Sequence, residues 1–341
     1  MKLAIFGATG QVGMVMRSIL AERDFPFDEV RFFASPRSAG SVLSFAGRKV
    51  VVENSYDADF EGIDIALFSN GATASAELAP RVAAAGAIVV DNSSAWRMND
   101  GVPLVVPEVN ASALDSIPLG IVANPNCTTM VCMSTLGALR DAYGLRRVVA
   151  STYQAVSGAG VAGVAELASQ LLMAGARIAE LTFDGAAVAL GDPSVFVEPI
   201  AANVIPLAGT LVDDETNEEH KFRDESRKIL GLPDLAVSAT CVRVPVFTGH
   251  SISLNVELMA DFEIGELRDV IGAAQGVVIA DVPTPLGSAG RDPSFVGRIR
   301  RDQSVQNGVA LFISGDNLRK GAALNTIQIA EALIERGIVK P

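Results

Sequence analysis

Lys2-Leu3-Ala4-Ile5-Phe6-Gly7-Ala8-Thr9-Gly10-Gln11-Val12-Gly13 decides the reading of the fold. Lys2 to Phe6 is a short apolar run, and Val12, Val15, Met16 and Ile19 then recur at helical spacing to about Leu20. The pattern predicts a strand, a turn at Gly7-x-x-Gly10-x-x-Gly13, and a helix. Glycine lets the backbone turn tightly and approach a pyrophosphate, while the helix start supplies N–H groups and a positive dipole end. A tight βα turn without a ligand is the alternative. The strand–turn–helix context favours a dinucleotide.

Outward from this turn, Val30 to Ala34 reads as a second strand, and Val42–Phe45 with Lys49–Val52 as a hairpin. Ile63 to Phe68 is a buried strand, Ala74 to Ala85 a helix stopped by Gly86, and Ala87 to Asp91 the next strand. Leu104–Val106 and Ile121–Ala123 add further strands. Strands alternating with helices predict a parallel, doubly wound, Rossmann-type α/β domain ending near Asn124-Pro125-Asn126. The second strand ends Phe32-Phe33-Ala34-Ser35-Pro36-Arg37-Ser38, with no carboxylate to bind a ribose 2′-hydroxyl. Arg37, with Ser35 and Ser38, suits a 2′-phosphate and points to NADP; a solvated loop arginine is the alternative.

The style then changes. Helices are expected from Cys127 to about Asp141, from Ser157-Gly158-Ala159-Gly160 to about Ala179, over the charged stretch 213–230, and from about Ala322 to Arg336. Strands are expected over Arg147–Ala155, Ala236–Val246, Ser251–Ala260 and Val309–Ser314. Ser251-Ile252-Ser253-Leu254-Asn255-Val256-Glu257-Leu258 alternates strictly, as one face of an antiparallel sheet should. The second region therefore reads as α+β with a mainly antiparallel sheet.

The 341 residues suffice for two domains, and 49% apolar residues provide a substantial core. A formal charge of −12 argues against binding nucleic acid or anionic membranes, yet allows a local basic pocket for a small anion. Charged residues make up 19%, below the usual quarter, which points to surface covered by another subunit. The longest smooth apolar run, Val82 to Val90, is interrupted by Gly86, so no bilayer span is expected. Met1-Lys2 leads at once into a strand, without the layout of a signal peptide. Cys127, Cys132 and Cys241 are odd in number and lack CxxC spacing, so neither a disulfide framework nor a metal site is expected. A cytoplasmic protein with reduced thiols follows.

Asn124-Pro125-Asn126-Cys127-Thr128-Thr129 is the most informative stretch. Asn126 can cap the helix that follows, leaving Cys127 in its first turn. The dipole there is expected to lower the thiol pKa and favour a thiolate nucleophile, with N–H groups nearby for an oxyanion. Cys132 and Cys241 read as buried structural thiols. A thiol nucleophile needs a base, and the chain has two histidines. His220 lies in an acidic helix, Glu218-Glu219-His220-Lys221, whereas His250 follows Gly249 at the start of a strand and is the better candidate. Arg243, seven residues earlier, can share its site across the turn. A nicotinamide domain with an activated Cys and His suggests oxidation of an aldehyde through a thioester.

At this point the pattern resembles the bacterial aspartate-semialdehyde dehydrogenases over essentially the whole chain. The landmarks are GATGQVG (7–13), SNGATAS (69–75), DNSSAWR (91–97), NPNCTT (124–129), YQAVSGAG (153–160), NEEHK (217–221), RVPVFTGHS (243–251) and LNTIQIAE (324–331). The resemblance implies Cys127 as nucleophile, His250 as acid–base catalyst and Gln154 as the residue orienting substrate at the thiol. It implies Arg243 on the substrate carboxylate, Glu218 on its amino group, Lys221 and Arg97 on phosphate, and Asn126 beside them. The cofactor would lie along Gly7, Thr9, Gly10, Gln11, Val12, Gly13 and Thr73, with Ser157 and Gly158 at the nicotinamide. Asn325 would reach the same cofactor, so that 322–341 returns to the first domain. This gives an NADP domain of 1–126 plus 322–341 and a catalytic and dimerisation domain of 127–321.

The implied reaction is the reversible, NADPH-dependent conversion of 4-phospho-L-aspartate to L-aspartate 4-semialdehyde and phosphate, by a homodimer, in lysine, threonine and methionine biosynthesis. Another acyl-phosphate reductase, such as N-acetyl-glutamyl-phosphate reductase, is the alternative. Its substrate has no free ammonium and needs no carboxylate at Glu218. A catalytically dead, nucleotide-binding paralogue should lack Cys127 or His250, and both are present.

Overall fold

The computed structural model describes residues 1–340. The first region runs β1 (Lys2–Phe6), α1 (Gln11–Glu22), β2 (Glu29–Ala34), β3 (Val42–Phe45), β4 (Arg48–Asn54), β5 (Ile65–Phe68), α2 (Ala72–Ala84), β6 (Ile88–Asp91), α3 (Pro107–Asn110) and β7 (Ile121–Ala123). Its strands lie in the order β3-β4-β2-β1-β5-β6-β7. All pairings are parallel except the β3/β4 hairpin at one edge. β1 is central, and its continuous apolar run is buried on both faces from Leu3 to Phe6. The strand order reverses at β1, between β2 and β5, which opens a crevice beyond the carboxyl ends of β1 and β5.

The second region runs α4 (Cys127–Tyr143), β8 (Leu145–Gln154), α5 (Gly160–Ala174), a two-residue hairpin of β9 (Leu211–Val212) and β10 (Glu215–Thr216), α6 (Asn217–Leu230), β11 (Ala236–Arg243), β12 (His250–Leu258), α7 (Ile264–Ala273), β13 (Val277–Ile279), α8 (Pro285–Ser288), β14 (Ser294–Asp302) and β15 (Gly308–Gly315); α9 (Leu324–Glu335) follows. Its six-stranded sheet has the order β11-β8-β12-β15-β14-β13. The three inner pairings are antiparallel and the two outer ones parallel. The alternation read in β12 sets Ile252, Leu254, Val256 and Leu258 into the core.

α4 joins the two sheets. Met130, Val131, Met133 and Leu136 pack in one apolar cluster with Phe68 and Val89 of the first sheet and Ile252 and Leu254 of the second. The other face of the first sheet is covered by α1 and α9, through Met16, Ile19, Leu20, Leu324, Ile327 and Leu333. α9 thus belongs by packing to the first sheet.

Several elements differ from expectation. Leu104–Val106 is not a strand: Leu104 makes a single bridge to Ala123. The helix expected over 213–230 starts at Asn217, because β9 and β10 pair first and Thr216 closes a capping box with Glu219. β11 ends at Arg243, ahead of Pro245, which has no N–H to give a ladder. The helix expected from Ser157 to Ala179 is three pieces, a 3₁₀ turn, α5 and a second 3₁₀ turn to Thr182. By length and composition the helical run Val156–Thr182 is apolar enough to cross a membrane, contrary to the expectation that no run would be. It carries the buried Glu166, whose carboxylate accepts N–H bonds from Ser194 and Val195, and it packs on a small cluster through Val156 and Leu167.

Candidate active site

Strand ends and helix starts converge on one cavity of about 390 Å³. Cys127 opens α4, Gln154 ends β8, Arg243 ends β11, His250 opens β12, and Glu218 and Lys221 lie in the first turns of α6. Asn126 caps α4, its side chain accepting from the Thr128 N–H at 2.9 Å. Cys127 Sγ lies 3.2 Å from His250 Nε2. On the far side of the ring, Nδ1 accepts the Ala155 backbone N–H at 3.0 Å. A neutral imidazole with Nδ1 so occupied carries its proton on Nε2, directed at the sulfur.

The thiol differs from expectation. Burial, with the Glu218 charge, pushes Cys127 up to about 11, against the pull of Arg243 and Arg97. Burial, with Arg243, pushes His250 down to about 3. The resting pair is therefore a neutral thiol beside a neutral imidazole, not a thiolate. Helix-start N–H groups alone do not overcome the loss of water around the sulfur. Cys132 and Cys241 are buried and raised by burial, Cys241 to about 12, as structural thiols should be.

The polar residues around the thiol form one network. Glu218 accepts from Lys221 Nζ at 2.7 Å, Asn126 Nδ2 at 3.1 Å and Gln154 Nε2 at 3.3 Å. Burial opposes its charge, but Lys221 and these hydrogen bonds outweigh it and hold the carboxyl below its usual range. Arg243 Nη1 donates to the Ala155 carbonyl at 2.7 Å, and its Nε has no partner among the described residues. Gly158 lies against Arg243 and His250: a Cβ there would meet Arg243 Nη1 at 3.0 Å and His250 Cε1 at 3.3 Å. Arg97 is anchored by Asn124 O, Asn92 O and Glu225. Three cations, Arg97, Lys221 and Arg243, share the lining with one carboxylate, Glu218, so the cavity is locally basic within an acidic protein.

A second, smaller cavity lies at the crevice beyond β1 and β5, lined by Gly7, Thr9, Gly10, Ser35, Asn70 and Tyr56, among others. Gln11 Oε1 and both polar atoms of the Asn70 amide are buried there or nearby without partners among the described residues. A Cβ on Gly7 would strike Ser69 O at 2.6 Å, and one on Gly13 would strike Gly7 O at 2.3 Å. Unpaired polar atoms beside a glycine turn packed this tightly fit a dinucleotide. Val12 of the same glycine turn lines the main cavity, as do Ser157 and Gly158. Ser35, which lines the second cavity, is exposed, as are Arg37 and Thr73, and Ser38 is half-buried.

Asn325 lies beneath the cavities, and its Oδ1 has no partner among the described residues. It is fully buried, and its Nδ2 donates to Val105 O and Asn124 Oδ1. It does not line either cavity. Its place, one residue into α9, turns it toward the core of the first domain.

The chain matches two family models, "Semialdehyde dehydrogenase, NAD binding domain" over residues 2–117 and "Semialdehyde dehydrogenase, dimerisation domain" over 136–320. It is 58% identical to the aspartate-semialdehyde dehydrogenase of Corynebacterium glutamicum, over 98% of this chain and 99% of that one. This chain belongs to the aspartate-semialdehyde dehydrogenase family. The Bacillus subtilis member is 43% identical over 99% of this chain and 98% of that one. The crystal structure of aspartate semialdehyde dehydrogenase II from Vibrio cholerae, complexed with ASA, superposes with a TM-score of 0.91 at 41% identity, covering 98% of each chain. This family member thus carries a nucleotide-binding domain followed by a dimerisation domain.

Sequence reasoning missed several cavity residues of this family member. Asn92, Ser94, Thr210, Asn217, Asn317, Gly321 and Ala322 all line the main cavity. Asn317 is the best placed of them: its Oδ1 accepts the Gly249 N–H at 2.9 Å and its Nδ2 donates to Ser157 at 2.9 Å. Asn92 and Ser94 stood inside DNSSAWR and Asn217 inside NEEHK, so a signal existed for them. Nothing in the local sequence marks Asn317.

Proposed function

We propose that this protein catalyses the reversible, NADP-dependent interconversion of L-aspartate 4-semialdehyde plus phosphate with 4-phospho-L-aspartate. The observation that carries the reading is the Cys127 Sγ–His250 Nε2 contact of 3.2 Å in a cavity that also holds Glu218, Arg243, Arg97 and Lys221. These groups match an amino acid bearing one ammonium, one carboxylate and a phosphorylated side chain. Glu218 would take the ammonium, Arg243 the carboxylate as a planar fork, and Lys221 with Arg97 the phosphate. A substrate acylated on its amine, as in N-acetyl-glutamyl-phosphate reductase, would leave the Glu218 charge unmatched.

In the oxidative direction the Cys127 sulfur adds to the aldehyde carbon while its S–H proton passes to the carbonyl oxygen, which comes within reach of the Nε2–H of His250. Loss of hydride from that carbon, with release of the hydroxyl proton, leaves a thioester on Cys127. Phosphate held by Arg97 and Lys221 then attacks the thioester carbon, and the sulfur leaves as thiolate. Gln154 and Asn126 hold Glu218, and hence the substrate amine, relative to the sulfur. The cofactor, when bound along Gly7, Thr9, Gly10, Gln11, Val12 and Gly13, accepts or supplies the hydride. Arg37, Ser35 and Ser38 would meet a 2′-phosphate, since no carboxylate follows β2.

A cytoplasmic homodimer built through the second domain fits this reading. The test is a nicotinamide-coupled assay with L-aspartate 4-semialdehyde and phosphate, run beside N-acetyl-L-glutamate 5-semialdehyde. Turnover of the second substrate at an equal or greater rate would overturn the assignment.

A further inference from the structure

Glu225 takes no part in the cavity lining, yet it touches two residues that do. It lies on α6, two turns beyond Glu218 and on the same side as Lys221. Its side chain is 1% exposed. One carboxylate oxygen accepts from Arg97 Nη1 at 3.0 Å, and the other accepts the backbone N–H of Asn126 at 2.6 Å. Burial raises its pKa against the pull of Arg97.

We infer that Glu225 is a positioning residue that fixes the phosphate-binding fork of Arg97 to the helix start that carries Cys127. The inference rests on the phosphate role proposed above for Arg97. A guanidinium has five N–H donors. Three of those on Arg97 are taken, by Asn124 O at 2.8 Å, Asn92 O at 2.7 Å and Glu225. The remaining two have no partner among the described residues, and Arg97 lines the cavity. With its rotation fixed on three sides, the fork can present those two N–H groups in one orientation only. The Asn126 N–H on the second oxygen ties that orientation to the residue preceding the nucleophile. One rigid carboxylate therefore sets the distance between the phosphate subsite and the sulfur. Both sites must be served together when phosphate attacks a thioester on that sulfur.

The test compares wild type, Glu225→Gln, Arg97→Lys and the double variant in the phosphorylating direction. Glutamine keeps the volume but has one acceptor oxygen, so its amide sets an N–H against either Arg97 or Asn126. For Glu225→Gln we expect the KM for phosphate to rise at least about fivefold, while the KM for the nicotinamide cofactor stays within about twofold. The double variant should be no worse in phosphate KM than Arg97→Lys alone by more than about twofold, because the two changes act through one fork. A merely structural role would lower the thermal midpoint and the active fraction without moving the phosphate KM. A phosphate KM within about twofold of wild type in Glu225→Gln, or effects that multiply in the double variant, would overturn the inference. If Glu225→Gln does not fold, Glu225→Asp, which keeps the charge on a shorter arm, carries the same comparison with a smaller expected rise. A wild type without phosphate-dependent turnover would overturn the proposed function itself and is read before any variant.

Discussion

Arg243→Lys keeps the charge and removes the fork, and the structure gives the size of the effect. Arg243 is 8% exposed, so its interactions are little weakened by water. One arm, Nη1, already donates to the Ala155 carbonyl at 2.7 Å, and the guanidinium carbon lies 5.8 Å from the centre of the Phe196 ring. Lysine offers a single ammonium on a stem that lacks the planar second arm. It can serve the Ala155 carbonyl or the substrate carboxylate, but it cannot hold both in the geometry of the fork. A charge-assisted hydrogen bond at such a site contributes about 1.5–3 kcal/mol. Its loss corresponds to about 10–150-fold in kcat/KM for the semialdehyde. The assay is steady-state kinetics with semialdehyde varied at saturating phosphate and cofactor, and a thermal melt establishes that the variant is folded. The cofactor KM serves as an internal control and should not move. If kcat and KM for the semialdehyde both stayed within about twofold of wild type, Arg243 would not be holding the substrate.

Four further outcomes follow from the site. Cys127→Ala should abolish turnover and leave cofactor binding by fluorescence intact, with Cys132→Ala as the near-neutral control; residual turnover above a few per cent in Cys127→Ala contradicts covalent catalysis. His250→Asn should lower kcat by roughly 10²–10⁴, and His220→Asn far less; equal losses would remove the reason for choosing His250. Arg37→Ala should raise KM for NADP⁺ and leave the NAD⁺ reaction nearly unchanged, in a wild type that prefers NADP⁺ by at least about tenfold in kcat/KM; equal use of NAD⁺ by the wild type would refute the NADP reading while leaving the thiol mechanism intact. The fifth concerns pH: with the Cys127 thiol raised from 9.0 to about 11, its alkylation by iodoacetamide in the free protein should climb through the alkaline range, and a plateau below pH 8 would contradict a buried neutral thiol. The same shift makes stability fall between about pH 9 and 11, where the unfolded thiol has ionised and the folded one has not.

The first sheet was legible because β1 and its glycine turn combine a period change with a fixed spacing, and both survive in a single chain. The start of α4 was legible for a similar reason, since a cap residue directly before a cysteine is a local signal. β13, α8 and β14 were not read at all. β14 carries Arg298, Arg300 and Arg301, and its register shifts between Gly297 and Arg300 with Arg298 at φ 55°, which breaks the alternation that marks a strand. The acidity of Cys127 was misjudged because burial at that point depends on residues from both ends of the chain. Glu225 was invisible for the same reason, being 99 residues from Asn126. The bonds from Asn325 Nδ2 to Val105 O and Asn124 Oδ1 were likewise invisible, joining positions 220 and 201 residues apart.

The return of α9 to the first sheet has a consequence for how the molecule is made. Translation delivers β1 to β7 first, yet one face of that sheet is covered partly by Leu324, Ile327, Ala330 and Leu333. Until those residues leave the ribosome, the nascent sheet carries an open apolar face for the time needed to synthesise the intervening catalytic region. Cys127 waits as well, since Gly321 and Ala322, just ahead of α9, close one wall of the cavity around it. The first sheet with its covering helices is thus assembled from discontinuous parts of the chain whose last piece arrives late, the situation in which a nascent chain depends most on chaperones and is most exposed to aggregation. Stalled chains released before about residue 335 should accumulate with the sheet uncovered and Cys127 open to alkylating reagents, and completion of α9 should close both together.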